Sequence, residues 1–404
     1  MELLYSLFIW LYEKAMFIAA LFHPKAKKWV EGRKINLPPE THGKPVIWIH
    51  CASLGEYDMA IPLVTRLKKQ YPTHFFLATF FSPSGMEHYK KRGELVDAAC
   101  YLPIDRKNKV RAFLNHLNPV LLILVKYEFW PNLINIVVSN QVPIVSVNTV
   151  IRKNQRFFKW YGGLFRKALR QIDFFYTLNA QTSLLLADLG IKNWKITGDT
   201  RYDRLVENKL TAPKNERIEM FLSGEKAIII GSSWPEDEKI VLPVMVKNKE
   251  QKYIIAPHEI DESHLQSIEK QLGNFVQRYT DKNDPSKPIL LLNTIGHLTS
   301  AYSYGKMAYI GGGFSGKLHN ILEPMAYEIP LIFGPKFQRY PEATEAIQAE
   351  IAHSIKNEEE CKHAFQHAIN EAPTIKVKSG AFFQRHIGCS TIICKDIESR
   401  FLTN

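Results

Sequence analysis

The chain lacks the cysteine patterns that hold disulfide-rich domains and zinc sites together. Its five cysteines are odd in number, and no two of them stand in a CxxC spacing. An odd count argues against a complete disulfide framework, and zinc sites usually draw on closely spaced cysteine pairs. We therefore expect a protein of a reducing, cytosolic compartment without structural zinc.

A long uninterrupted apolar run is also missing. Residues 3–12 and 15–22 are apolar but are separated by Glu13 and Lys14, and a lysine-rich stretch follows them. Crossing a bilayer takes about 20 apolar residues, and a signal peptide has its basic residues before its apolar part. An interfacial or shallow anchor therefore fits as well as a span, with its basic flank on the cytoplasmic side. A buried amphipathic helix is the alternative.

The composition indicates a two-domain protein with an anionic partner. The 404 residues are 46% hydrophobic and carry a formal net charge of +12. This length exceeds one ordinary domain. The positive charge favours nucleic acid, an anionic membrane or a phosphorylated substrate. The basic residues are dispersed and form no RNA-binding signature, so we expect no nucleic acid partner.

Short apolar runs alternate with helical patterns over most of the chain, which is typical of parallel, doubly wound α/β sheets. The alternation pauses at 205–225, a charged stretch that we interpret as a linker. We predict a membrane-associating helix and basic flank (1–34), two Rossmann-like lobes (35–204 and 226–404), and no sequence repeat between them. The predicted strands are 46–50, 75–80, 98–102, 120–125, 144–147, 174–178, 227–230, 253–256, 289–292, 307–310 and 331–333.

The stretch from residue 307 to 324 predicts a strand, a glycine-rich turn that includes Gly312 and Gly313, and a helix beginning near His319. Glycines let a backbone approach a ligand, and a helix start offers free N–H groups to an anion. Asn320 and Glu323 would share one face, where a carboxylate can accept both hydroxyls of a ribose. The alternative is a tight turn, with Glu323 complementing the helix dipole.

Glu56 is the candidate general base. It lies with Ser53 and Gly55 in the loop after the first predicted strand, and ligands of two-lobed α/β proteins bind at the carboxyl ends of strands, in the cleft between the lobes. We expect burial to raise its pKa toward neutrality. The alternative is a glutamate that only complements a helix dipole.

Other polar residues also follow predicted strands. Lys126 and Glu128 form either a buried pair or a substrate clamp. Arg201 can bind a carboxylate or phosphate through two hydrogen bonds. Hydroxyls suited to an anion come from Ser232 and Ser233, and His258 follows a later strand; its alternative is a polar loop residue.

Six short motifs occur in a fixed order. They are Trp48-Ile49-His50 with Ser53-Leu54-Gly55-Glu56; Glu128 with Trp130-Pro131-Asn132; Gly198, Arg201 and Asp203; Gly231-Ser232-Ser233; His319-Asn320 with Glu323-Pro324; and Gly334-Pro335. Each is weak alone. Together they resemble the Kdo transferases (3-deoxy-D-manno-octulosonic acid transferases), membrane-associated GT-B enzymes of lipopolysaccharide assembly, over nearly the whole chain.

The chain departs from this family in three places. Pro257-His258 stands where many members have Arg-His, which leaves His258 without a neighbouring cation. Ile295-Gly296-His297-Leu298 replaces Met-Gly-Glu-Leu, so Gly296 could meet the cytosine through its backbone only. Gly313 replaces a common serine. These changes affect donor contacts more than the reaction.

The resemblance implies an inverting transfer of Kdo from CMP-Kdo to a lipid A precursor of the lipid IVA type, at the cytoplasmic face of the inner membrane. Glu56 would take the acceptor proton. The chain has no Asp-x-Asp pair, and CMP carries one phosphate, so we expect no metal and no other cofactor. The implied substrate contacts are Ser53, Gly55, Lys126, Glu128 and Arg201, and the implied nucleotide contacts are Ser232, Ser233, His258, Ile295, Gly296, Gly312, Gly313, Asn320 and Glu323.

Two alternatives stay open. One is another GT-B enzyme, such as a UDP-sugar transferase or a UDP-N-acetylglucosamine 2-epimerase, although an epimerase has no need of a membrane anchor. The other is a non-catalytic, membrane-peripheral protein that binds nucleic acid through its basic surface.

Overall fold

The computed structural model describes residues 1–34 and 38–402. The chain forms two compact units. Unit 1 comprises Met1–Arg204 together with the C-terminal residues from His386 onward, and unit 2 comprises Leu205–Arg385.

Unit 1 contains a parallel sheet of seven strands in the order β3-β2-β1-β4-β5-β6-β7. Helices cover both faces of this sheet. The strands are β1 (Val46–Cys51), β2 (Phe75–Phe80), β3 (Ala98–Tyr101), β4 (Pro119–Val125), β5 (Ile144–Thr149), β6 (Phe174–Thr177) and β7 (Trp194–Ile196). The helices are α1 (Glu2–Ala19), α2 (Pro24–Glu31), α3 (Leu54–Gln70), α4 (Pro83–His88), α5 (Lys107–Asn115), α6 (Pro131–Ser139), α7 (Gly163–Leu169), α8 (Ala180–Asp188), α9 (Arg201–Thr211), which runs on into unit 2, and α18 (Cys389–Ile397).

Unit 2 contains a second parallel sheet of seven strands, in the order β10-β11-β9-β8-β12-β13-β14. Its strands are β8 (Ala227–Ser233), β9 (Lys252–Pro257), β10 (Val276–Arg278), β11 (Ile289–Leu291), β12 (Gly305–Ile310), β13 (Leu331–Phe333) and β14 (Ala352–Ser354). Its helices are α10 (Glu216–Leu222), α11 (Pro235–Lys247), α12 (Glu262–Leu272), α13 (Leu298–Ala301), α14 (Leu322–Ala326), α15 (Pro341–Gln348), α16 (Glu358–Asn370) and α17 (Ala372–Gln384).

Burial on both faces explains why the central strands are almost entirely apolar. In β1, Val46 and Trp48 belong to one hydrophobic core, and Ile47 and Ile49 belong to the core on the opposite face. Side chains of a strand alternate in direction, so a parallel strand covered on both sides needs apolar residues throughout. The predicted pair of doubly wound sheets is confirmed.

Three strands were not predicted from the sequence: β7, β10 and β14. Each is three residues long and lies at the edge of its sheet. An edge strand has a neighbour on one side only and is less buried, and so its apolar pattern is short and weak.

In each sheet the strand order reverses at one pair of neighbours, β1 and β4 in unit 1 and β8 and β12 in unit 2. Loops that leave such a pair turn to opposite faces and leave a crevice at the carboxyl ends of the strands. Glu56 follows β1 and Lys126 follows β4, while Ser232 and Ser233 are the last two residues of β8 and the glycine turn follows β12. Residues predicted from strand ends therefore lie at the switch point of each unit.

The C-terminal residues belong to unit 1, although the predicted second lobe included them. The Asp203 carboxylate accepts hydrogen bonds from the backbone N–H groups of Gly388, at 2.5 Å, and Ser390, at 2.6 Å. These bonds fix the start of α18, whose Ile393 and Ile397 are buried in a unit 1 core.

The predicted linker is largely helical. Residues 205–211 complete α9, and α10 buries Ile218, Phe221 and Leu222. These three apolar residues have the spacing of one helix face, a signal that the high charge of the stretch obscured.

The helix α1 packs on unit 1 by one face only. Tyr5 and Ile9 join a small core with Trp29 and Val30, and the Tyr5 hydroxyl donates a 2.7 Å hydrogen bond to Asp105. The opposite face and the residues just after it are apolar, with exposed fractions between 47% and 87%: Leu3, Leu4, Leu7, Phe8, Leu11, Phe17, Ile18, Leu21 and Phe22. Across the described part of the chain, no helix combines the length and apolar content needed to cross a membrane.

Candidate active site

Glu56 lies in the first turn of α3, directly after β1. Its carboxylate accepts a hydrogen bond from the hydroxyl of Ser53, the residue that precedes the helix, and another from the Lys126 ammonium at 3.2 Å. The Glu56 side chain is 13% exposed and that of Lys126 is 24% exposed. The structure thus brings together residues that were predicted from two loops, Ser53 and Glu56 after β1 and Lys126 after β4.

The expected rise in the pKa of Glu56 is wrong. Burial does raise this pKa, but the Ser53 hydrogen bond and the Lys126 charge lower it by more, and the pKa lies below the ordinary value of 4.5. An opposite charge at hydrogen-bonding distance favours the ionised carboxylate. Glu56 is therefore a carboxylate at neutral pH.

Lys126 has a strained backbone. Its φ is +67°, in the left-handed region that residues with a side chain avoid. Such a conformation costs on the order of 1–3 kcal/mol and concentrates at functional sites. Here it occurs at the residue after β4, where it allows the ammonium to reach Glu56.

A second acidic group, Glu128, is held close by. The indole N–H of Trp130 donates to its carboxylate at 3.0 Å, and Nε2 of His50 lies 3.6 Å from the same oxygen. His50 is fully buried, with Nδ1 about 3.0 Å from the hydroxyl of Thr79. His50 was part of a recognised motif but was not predicted as a site residue, because its contact with Glu128 joins two distant parts of the chain.

A pocket of about 530 Å³ opens beside Glu128. Six aromatic side chains dominate its lining, and a few polar residues complete it. The lining residues are Ala52, Phe81, Tyr127, Glu128, Phe129, Trp130, Asn154, Gln155, Arg156, Phe157 and Phe165. Apolar cavities with a few polar groups are the usual form of ligand sites.

Arg201 begins α9 and is paired with its neighbour Asp199. Its Nη2 lies 2.7 Å from the Asp199 carboxylate, and its Nε donates to the same oxygen at 2.8 Å. Next to it, Tyr202 stacks on His386, with ring centres 4.7 Å apart. This motif therefore fastens the C-terminal residues to unit 1, and the anion-binding role of Arg201 stays a prediction.

In unit 2, the two predicted serines differ in environment. Ser233 is fully buried, and its hydroxyl donates to Glu238 at 2.8 Å. Ser232 is partly exposed and has a left-handed backbone with φ of +54°. Of the two hydroxyls, that of Ser232 is the better placed to meet a ligand.

The glycine turn after β12 is required by backbone packing. A Cβ on Gly311 would lie 2.1 Å from the Ser232 carbonyl oxygen, and one on Gly312 would lie 2.1 Å from that of Lys317. The N–H of Gly312 donates to the buried Asp237 at 2.8 Å. The tight turn, which was the alternative interpretation, therefore explains these glycines. The N–H of Gly312 already donates to Asp237.

The helix predicted to begin near His319 begins at Leu322 and has five residues. The preceding segment folds back on the turn instead, because the His319 N–H donates to the Gly311 carbonyl at 3.1 Å. Asn320 and Glu323 do come together, with a 3.3 Å hydrogen bond between their side chains. A helix dipole at Asn320 is therefore weaker than expected.

Three rings form a stack beside this segment. His258 lies on Trp234 with ring centres 4.2 Å apart and 4.5 Å from the ring of His319. The Trp234 indole donates to His319 Nε2 at 3.1 Å, and the Lys317 ammonium lies 5.1 Å from the indole ring. We call Trp234, His258 and His319 the ring cluster.

Burial and the charge of His258 lower the pKa of His319 to about 4, so His319 is neutral at pH 7 and can accept the indole N–H. Trp234 and Lys317 were not predicted as site residues. The position of Trp234 directly after the two serines was the available signal.

Ile295 and Gly296 are less closely tied to the other nucleotide candidates. Ile295 is 85% exposed, and open space surrounds Gly296. His297 stacks on Tyr279, with ring centres 4.2 Å apart. Thr299, three residues after Gly296, donates a hydrogen bond to the Glu323 carboxylate at 3.2 Å.

Over residues 1–34 and 38–402, no three His, Cys, Asp or Glu side chains are grouped so that they could hold a metal ion.

Residues 28–204 match the family described as 3-deoxy-D-manno-octulosonic-acid transferase (kdotransferase). The chain is 28% identical over 341 residues to the 3-deoxy-D-manno-octulosonic acid transferase of Aquifex aeolicus, covering 83% of this chain and 89% of that protein. It is also 28% identical over 387 residues to a bifunctional glycosyltransferase/methyltransferase of Fusobacterium nucleatum, covering 92% of this chain but only 60% of that protein.

Among solved structures, the chain is similar to the UDP-GlcNAc 2-epimerase of Neisseria meningitidis. The TM-score is 0.65, with 13% identity, and the match covers 88% of this chain and 100% of that one. Likeness at this identity shows the fold alone.

Proposed function

We propose that the chain is a glycosyltransferase of the Kdo transferase family, which the family match over residues 28–204 and the similar Kdo transferases support. In this proposal it transfers Kdo from CMP-Kdo to a hydroxyl of a lipid A precursor. In this reaction the hydroxyl oxygen bonds to the anomeric carbon of Kdo while the bond from that carbon to the CMP phosphate breaks. Attack from the face opposite the leaving group inverts the configuration.

Glu56 is the proposed base, and its position is the main observation that supports the proposed function. It is a carboxylate at the switch point of unit 1, held by Ser53 and Lys126 and ionised at neutral pH. A base must be unprotonated to accept a proton, and it must be fixed in place to do so efficiently. The aromatic pocket beside Glu128 is the proposed acceptor side.

Unit 2 is the proposed donor side. The ring cluster offers a flat surface and Lys317 adds a positive charge. Glu323, whose carboxylate accepts hydrogen bonds from Asn320 and Thr299, is the proposed acceptor of the ribose hydroxyls. Of the two serines, we propose that Ser232 contacts the donor through its hydroxyl, because the Ser233 hydroxyl is buried and donates to Glu238. A single phosphate needs less charge compensation than a diphosphate, and so the proposal includes no metal.

The proposed site of action is the cytoplasmic surface of the inner membrane. The exposed apolar face of α1 is the supporting observation, because large exposed apolar patches mark protein or membrane contacts. A helix with such a face lies in the interface between headgroups and acyl chains, and the net charge of +12 favours an anionic surface.

The direct test is to incubate the purified chain with CMP-Kdo and a tetraacylated disaccharide bisphosphate, with and without EDTA. We expect mass spectrometry to show one or more added Kdo residues, with equal release of CMP and no loss of activity in EDTA. Absence of product under conditions where a family member is active would contradict the proposal, and loss of activity in EDTA would contradict its metal-free form.

A further inference from the structure

A small pocket of about 130 Å³ lies against α1, and Glu56 is not among its lining residues. It is bounded by α1, by α2 with the residues after it, and by α5. The lining residues are Glu13, Phe17, Trp29, Val30, Arg33, Lys34, Ile104 and Lys109. A cavity of this size holds a few water molecules or one phosphate group, but not a sugar disaccharide. We call it the α1 pocket.

The α1 pocket has an excess of positive charge. Its lining includes the cations Arg33, Lys34 and Lys109, and its acidic residue is Glu13. Glu13 is already neutralised, because Arg106 lies 2.9 Å from one of its oxygens and Lys109 contacts the other. The surroundings of the cavity therefore favour an anion.

Arg33 is a buried cation whose acceptors are all backbone carbonyls. Its side chain donates to the carbonyl oxygens of Leu102 at 3.0 Å, Trp29 at 3.2 Å and Phe81 at 2.7 Å, and the residue is 8% exposed. Among the described residues, no carboxylate pairs with it. Burial lowers its pKa to about 9, so it remains charged at pH 7.

A guanidinium has five N–H donors, and three of them are used by the carbonyls. The rings of Trp29 and Tyr101 lie 3.9 Å and 4.8 Å from the guanidinium, so a ligand would bind through the two remaining N–H groups. A buried charge without a counter-ion is costly. An anion with several oxygens would compensate the charge of Arg33 and accept its remaining hydrogen bonds.

The position of the α1 pocket indicates where the anion comes from. Phe17 lines the pocket and is 47% exposed, and it lies one turn from Glu13 on α1. The pocket therefore opens at the edge of the apolar face of α1. If that face lies in a membrane, its edge is at the depth of the lipid headgroups.

We infer that the α1 pocket binds the phosphate group of a membrane lipid, through Arg33 with Lys34 and Lys109. The phosphate belongs either to a bilayer phospholipid or to the phosphorylated glycolipid acceptor, and only this second source rests on the proposed function. Such a site would hold α1 in a fixed depth and orientation on the membrane surface.

The test uses two double variants of the full chain. Lys34→Gln with Lys109→Gln removes two cations from the α1 pocket. Lys25→Gln with Lys27→Gln is the matched control, because these lysines lie exposed on α2 and do not line the pocket. Lys34→Gln alone, at an exposed position, covers the case in which the double variant fails to fold, and thermal unfolding checks all three.

The first measurement is flotation with phosphatidylcholine vesicles containing phosphatidylglycerol. Diffuse attraction to an anionic surface would lower the affinity equally in both double variants, since each loses two charges. A phosphate site would lower it about tenfold more in the α1 pocket variant than in the control, because hydrogen bonds to a charged group are also lost.

The second measurement is the KM for the bisphosphate acceptor in detergent micelles without phospholipid. A KM raised about tenfold in the α1 pocket variant alone, with unchanged vesicle affinity relative to the control, would assign the phosphate to the acceptor. Equal behaviour of the two double variants in both measurements would overturn the inference. Vesicle flotation needs no turnover, so failure of the proposed reaction would not be mistaken for absence of the site.

Discussion

Unit 1 and unit 2 share one architecture but place different chemistry at their switch points. In unit 1, the carboxyl ends of β1 and β4 bring ionisable side chains together, with Lys126 on Glu56 and His50 near Glu128. In unit 2, the corresponding loops bring rings and backbone together, with Trp234 against two histidines. The fold therefore specifies where a ligand can bind, and the loop residues specify what is done there.

This difference corresponds to two separate roles in the proposed reaction, proton transfer in unit 1 and nucleotide binding in unit 2. Moving a proton needs an ionisable group whose pKa is set by close charges, whereas holding a nucleotide needs flat surfaces and fixed hydrogen bonds. If this division is correct, changes in unit 1 should affect turnover, and changes in unit 2 should affect donor affinity.

The largest effect is expected from Glu56→Gln, which keeps the size of the side chain and removes its charge. Transfer should fall by roughly 10²–10⁴-fold, because a positioned base contributes about that much. CMP affinity, measured by titration calorimetry, should stay within about twofold, since the proposed nucleotide contacts are residues of unit 2 and Glu56 belongs to unit 1. Glu94→Gln, at an exposed position of unit 1, is the control and should keep full activity. Near-normal turnover of Glu56→Gln would contradict the assignment of proton transfer to unit 1.

A smaller effect is expected from Trp234→Ala in unit 2. The ring contacts His258 and His319, and each aromatic contact is worth about 0.5–1.5 kcal/mol. We expect roughly tenfold weaker CMP binding by calorimetry. Trp160→Ala, at a 91% exposed tryptophan of unit 1, should leave CMP binding unchanged. Equal affinities of the two variants would remove the ring cluster from the donor site.

The smallest effect is a shift in pH dependence. Glu56 has a pKa below 4.5, so activity should fall only as the pH drops below that value and protonates the base. Lys126→Gln removes a charge that lowers this pKa, and the acidic fall in kcat should move to higher pH. Lys68→Gln breaks a surface pair with Asp97 and should leave the profile unchanged. An unmoved profile for Lys126→Gln would show that Lys126 does not tune Glu56.

The sequence was most informative where strands are buried on both faces. β1, β2 and β4 are continuous apolar runs because they have no polar surface to present, and the residues that follow them are then easily recognised. The same reasoning failed at β7, β10 and β14, which are only three residues long and include partly exposed or polar residues.

The sequence predicted where candidate site residues lie along the chain, but not which side chains contact each other. Glu56 was located from the end of β1, yet its lowered pKa depends on Lys126, seventy residues away along the chain. The stack of Trp234 on His258 and His319 likewise joins three separate loops. The glycines after β12 suggested space for a ligand, whereas their cause is the close approach of the Ser232 and Lys317 backbones.

The return of the C-terminal residues to unit 1 has a consequence for how the protein is made. During synthesis the N-terminal part of a chain emerges first and domains generally fold as units, but α18 and its buried Ile393 and Ile397 emerge last. A nascent chain that ends at Arg204 has every strand of the first sheet and still leaves part of its core uncovered. All of unit 2 is therefore translated before unit 1 can be completed, and loss of α18 would damage the unit whose strands the ribosome produced first.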